Sequence, residues 1–225
     1  MPKRALAQKR PLILASVVAA LAWYYLDGGP YPGLLLLALK GLSMGLLAAW
    51  LWLRHQSGEA RLMACAFIAA SLAGMAIELD VTIGGVLFFA YHLIALGLYL
   101  QHKRGDLSAP DKAIVTVLLL GPAVLGYILP GAAAGQRVGF YALALGAMAA
   151  GAWASTFPRA LVGAGAVLFV LSDLVLFAQM GPLAASDLPR ALVWPLYYLG
   201  QLLIATGIVR TLHKRDPQLR LVRSR

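Results

Sequence analysis

Residues 160–180 read ALVGAGAVLFVLSDLVLFAQM, a run of 21 in which Asp173 is the only charge. At about 1.5 Å of rise per residue such a run forms a helix about 30 Å long, which matches the hydrocarbon thickness of a bilayer. The same ruler applied to the rest of the chain finds seven more runs, giving eight spans at 11–26, 33–53, 62–79, 82–101, 113–129, 138–155, 160–180 and 191–210. The breaks between them carry turn chemistry: Asp27-Gly28-Gly29-Pro30, Gln56-Ser57-Gly58-Glu59, Gly105 to Asp111 with Pro110, Pro130-Gly131, Pro158 and Gly181-Pro182. Short connections make successive helices antiparallel neighbours. The expected fold is an all-α integral membrane protein of eight transmembrane helices, in a single domain over residues 1–225.

Composition agrees. Of 225 residues, 61% are hydrophobic and 12% charged, with a mean hydropathy of +0.78. A soluble domain carries about 25% charged residues, so a water-facing surface cannot be assembled from this chain. Cys65 is the only cysteine, which excludes an internal disulfide and a cysteine-based metal cluster. The net charge of +10 suggests nucleic acid only if the charges gather on one soluble face, and here they sit between apolar runs.

They sort instead by side of the membrane. With eight crossings, 16 Lys and Arg fall on one side, against Arg137 and Arg190 on the other, with Lys40 inside span two. The positive-inside rule then places both termini in the cytoplasm. The alternative for the first span is a secretory signal peptide, since Lys3, Arg4, Lys9 and Arg10 precede an apolar run ending in small residues. The composition suggests a bacterial inner membrane.

Ionisable groups inside a membrane are costly and usually face a bundle interior or a wet cavity, so each is a candidate functional group. They are Lys40 in span two, Glu78 at the end of span three, His92 in span four and Asp173 in span seven, joined by Tyr197, Tyr198 and Gln201 in span eight. Alternating span directions put all of them between the midplane and the outer face. Structural readings compete: Lys40 and Glu78 can pair with each other, Asp80 can sit in the interface, and His92 can bond between helices. Asp173 is the hardest to explain structurally, because it is far from both ends of its helix. Gly41 and Gly45 form a small-xxx-small pattern suited to close helix packing. A faint internal echo links Ala66 to Glu78, containing Ser71 and Gly74-Met75, with Val167 to Leu176, containing Ser172-Asp173. In each half a polar-bearing helix follows, with His92 or Gln201. The echo suggests two four-helix repeats related by an axis along the membrane normal.

Four segments, in order and spread over most of the chain, carry a resemblance. They are Lys40-Gly41-Leu42-Ser43-Met44, Ala90-Tyr91-His92, Gly165 to Asp173, and Tyr197-Tyr198-Leu199-Gly200-Gln201-Leu202-Leu203-Ile204. With these the chain resembles the YhhN family of membrane proteins, whose characterised members are lysoplasmalogenases. The resemblance implies an eight-helix fold and hydrolysis of the vinyl ether bond of lysoplasmalogens to a fatty aldehyde and a glycerophospho-base, with no cofactor. The partners it implies are the lysophospholipid substrate and membrane lipids. One position departs from the family pattern: where Gly-Asp is usual in span three, this chain has Gly74-Met75, and Glu78 lies three residues on, about one helical turn higher.

Vinyl ether hydrolysis proceeds by protonation of the β-carbon, capture of the oxocarbenium ion by water, and collapse of the hemiacetal. The expected roles are Asp173 as general acid, His92 or Glu78 positioning or deprotonating water, Lys40 holding phosphate, and Tyr197, Tyr198 and Gln201 orienting the glycerol. No metal is expected, because no His-x-x-His or His-Glu-x-x-His spacing occurs. Gly41-Leu42-Ser43-Met44-Gly45 spells Gly-x-Ser-x-Gly, but it lies inside span two and not on the strand-to-helix turn that a nucleophile elbow requires. The alternative is a non-enzymatic carrier or binding protein for a lipid or small solute.

Overall fold

The computed structural model describes residues 10–215. Within them lie eight α-helices: α1 (Arg10–Leu26), α2 (Gly33–Arg54), α3 (Gly58–Ala76), α4 (Val81–Gln101), α5 (Ala109–Ile128), α6 (Ala132–Ala154), α7 (Ala164–Gln179) and α8 (Leu188–Arg215). A single turn of π-helix, Arg159–Gly163, leads into α7. Six helical segments are long and apolar enough to cross a membrane: α2, α3, α4, α5, α7 with its π turn, and α8. The first helix is shorter, about 25 Å for its 17 residues. The sixth has 23 residues but falls outside the six, because Ala and Gly dominate it and Gln136 and Arg137 open it. The basic residues Lys3, Arg4, Lys9, Arg220, Arg223 and Arg225, which carry much of the orientation signal, lie outside the described residues.

Local chemistry sets the helix boundaries. Ser57 caps α3 by accepting the Ala60 N–H at 3.2 Å. Ser108 caps α5, accepting the Asp111 N–H and donating to the Asp111 carboxylate. Asp80 accepts the backbone N–H groups of Thr82 and Ile83 at 2.7 and 2.9 Å, which makes it the starting cap of α4 and accounts for its charge. Gly131 precedes α6 at φ 78°, a left-handed conformation that side chains disfavour. Span three ends earlier than the sequence suggests. The helix stops at Ala76, so Glu78 sits in the α3–α4 turn and not one helical turn above Met75.

The described residues divide into two compact units, 10–94 with 212–215, and 95–211. In the first, α1 packs on α2 and α2 on α3. Ser16 donates to the Ser43 carbonyl at 2.6 Å, and Ser71 donates to the Gly41 carbonyl at 2.7 Å. The expected close packing is present at Gly41, where the Met75 thioether lies against the backbone, whereas Gly45 leaves room and only faces the Ser71 hydroxyl. The end of α8 joins this unit, with the His213 ring 5.4 Å from that of His55 and Arg215 3.9 Å from Glu59.

In the second unit α5 and α6 form an antiparallel pair whose contact line is glycine. A Cβ at Gly126 would meet Ala142 at 2.6 Å, and one at Gly146 would meet the Leu118 and Leu119 carbonyls at 2.6 Å. Pro122 lies inside α5 without ending it. The α4–α5 connection is tied to the α6–α7 connection: Arg104 donates to the carbonyls of Ser155 and Phe157, and the Thr156 N–H donates to the His102 carbonyl. Arg159 pairs with Asp111 at 2.9 Å.

Candidate functional site

Helix α7 is fastened to α8 in antiparallel register at successive levels. The Ser172 hydroxyl donates to the Val193 carbonyl at 2.8 Å. The Phe169 ring meets the Tyr197 ring edge-on at 5.0 Å. Two turns below Asp173, Gly165 and Gly200 bring the backbones together, since a Cβ on Gly165 would lie 2.5 Å from the Gly200 carbonyl oxygen. Small residues permit this approach, and the hydroxyl satisfies a backbone carbonyl at the upper end.

Asp173 is held at the level of Ser172 with 6% of its surface exposed. The Tyr141 hydroxyl of α6 donates to Asp173 Oδ2 at 2.8 Å, and the Tyr141 ring stands edge-on to Phe177, one turn further along α7, at 5.9 Å. Tyr197 and Gln201 are buried one turn apart on α8, and Trp194 stacks on Tyr198 at 6.2 Å. Three of the expected α8 residues therefore share the second unit with Asp173. Tyr141 and Trp194 are not singled out by the sequence, because a lone aromatic in an apolar run reads as packing. The one available signal is that Tyr141 carries a hydroxyl inside a span.

In the first unit Lys40 pairs with Glu78, and the Lys40 ammonium lies 4.5 Å over the Trp23 ring. The Lys40 side chain is 11% exposed and that of Glu78 is 47% exposed. This ion pair, capped by an aromatic ring, gives the lysine a charge partner and a cation–π contact, and it occupies the Glu78 carboxylate. His92 is fully buried on α4, its ring 5.5 Å from that of Tyr91, which in turn meets Phe67 at 6.0 Å. Met75, the departure in span three, is used in packing on Gly41. Glu78→Gln is expected to cost about 1 kcal/mol of stability in detergent unfolding, and less when Lys40→Gln is present as well. Equal costs in both backgrounds would show that the pair contributes nothing.

The fold and these buried polar groups define a multi-helix membrane protein with a carboxyl group seated in an apolar helix. The sequence profile of the YhhN family matches residues 35–208, and the chain belongs to that family. No curated protein and no solved structure gives a significant match.

Proposed function

We propose that the protein is a membrane hydrolase that cleaves the vinyl ether bond of lysoplasmalogens, as lysoplasmalogenases of its family do. The observation that carries this reading is Asp173: a carboxyl group 6% exposed, in the middle of an apolar helix, with a directed hydrogen bond from Tyr141. Burying such a group is costly, which marks it as a candidate functional group, and protonation of a vinyl ether carbon calls for a carboxylic acid shielded from water. On this reading Asp173 donates the proton, while Tyr197, Tyr198 and Gln201 contact the glycerol. His92, Glu78 and Lys40 lie in the first unit, and their expected roles in water activation and phosphate binding rest on what the reaction requires, not on the geometry around Asp173.

The proposal extends to eight crossings with both termini cytoplasmic. Two contacts favour it: Glu59 with Arg215, and Arg104 with Ser155, each linking segments that the charge asymmetry assigns to one side. Reporter fusions at the two ends should read the same compartment, and opposite readings would overturn the count. The activity is tested by incubating purified protein in detergent with a lysoplasmalogen and measuring free aldehyde. Release identifies a hydrolase, because nothing is transported in detergent. Lysolipid binding without aldehyde would favour the carrier reading.

A further inference from the structure

We propose that Tyr141 is a positioning residue that fixes which oxygen of Asp173 delivers the proton. The inference rests on the hydrolase reading above. The Tyr141 hydroxyl donates to Oδ2 at 2.8 Å. Among the described residues Oδ1 has no hydrogen-bond partner. In a neutral carboxyl group the carbonyl oxygen is the better acceptor, so the bond from Tyr141 selects Oδ2 as the carbonyl and leaves the proton on Oδ1.

The tyrosine is itself fixed. Its ring stands at 90° to Phe177, and Gly139 and Ala142 beside it on α6 pack on α5. Asp173 in turn follows Ser172, whose bond to the Val193 carbonyl anchors this level of α7. The Tyr141 ring cannot turn without disturbing Phe177, and the backbone that carries Asp173 is anchored beside it.

Proton transfer makes this contact stronger. The Oδ1–H bond breaks and its electrons stay on the carboxylate. The β-carbon of the alkenyl chain gains the proton through its π pair, and positive charge develops between the α-carbon and the ether oxygen. Water then adds to the α-carbon and loses a proton that restores the Asp173 acid, and the hemiacetal collapses to aldehyde and alcohol. As Asp173 becomes anionic, the neutral bond from Tyr141 becomes charge-assisted, and such bonds are about twice as strong. An interaction that grows along the reaction coordinate lowers the barrier without tightening substrate binding.

Tyr141→Phe keeps the ring and removes the hydroxyl. The expected result is a fall in kcat of about 10- to 100-fold with KM unchanged. A purely structural role would raise KM or lower the melting temperature as well. A kcat equal to that of the natural protein would overturn the proposal. A second measurement does not depend on turnover: the infrared carboxyl C=O band, identified by its loss in Asp173→Asn, should move to higher wavenumber in Tyr141→Phe. A band that stays in place, or no such band, overturns the orientation of the proton. A band that moves in a protein that releases no aldehyde supports that orientation while refuting the hydrolase reading.

Discussion

Asp173→Asn is expected to reduce aldehyde release from a lysoplasmalogen by about 10²- to 10⁴-fold, the range over which a positioned acid accelerates a reaction. The substitution is nearly isosteric. An asparagine carbonyl can still accept the Tyr141 hydroxyl, and the neighbouring Ser172–Val193 bond does not involve the side chain that changes. What is lost is a group able to give a proton to carbon. The melting temperature in detergent should therefore stay close to that of the natural protein while turnover disappears. Asp80→Asn provides the comparison: Asp80 caps α4 through two backbone N–H groups, asparagine caps as well, and neither turnover nor stability should change by much. Turnover by Asp173→Asn at the natural rate would sink the assignment of the acid.

The helices were legible because bilayer thickness sets their length, and a run of about 20 apolar residues exceeds the usual soluble helix of about 10–14. Their ends were less so. The end of α3 depends on the turn that leads to the Asp80 cap, and hydropathy alone carries Glu78 into the helix. The importance of Asp173 was also legible, since a lone charge in residues 160–180 stands out against its neighbours. Its partner was not. Tyr141 lies 32 positions away, and the meeting of the two is decided by how α6 packs on α7. Trp23 over Lys40 is similar, being a contact between helices that no spacing within one helix encodes. The Lys40–Glu78 pair was anticipated as one alternative, because opposite charges in apolar surroundings attract each other strongly.

Glycines at helix contacts should differ sharply in what they tolerate, and Gly165 shows a larger effect than Gly45. A methyl group there would lie 2.5 Å from the Gly200 carbonyl oxygen, 2.9 Å from Ile204 Cγ1 and 3.1 Å from the Ile204 nitrogen. Two of these three are backbone atoms of α8, so no rotamer change relieves the overlap and the helices must separate. Gly165→Ala is therefore expected to cost about 1–3 kcal/mol, the usual range for overpacking a closed contact. Gly45→Ala should be nearly neutral, because its Cβ would meet only the Ser71 hydroxyl, at 3.5 Å. Thermal unfolding in detergent separates the two, and a Gly165→Ala protein as stable as Gly45→Ala would refute the crossing. Turnover should fall with stability in Gly165→Ala. Separation at this level also displaces Phe169 from Tyr197 and Ser172 from Val193, the contacts that hold Asp173 in register with α8. Lost turnover with retained stability in Asp173→Asn, against loss of both in Gly165→Ala, distinguishes the group that reacts from the scaffold that aims it.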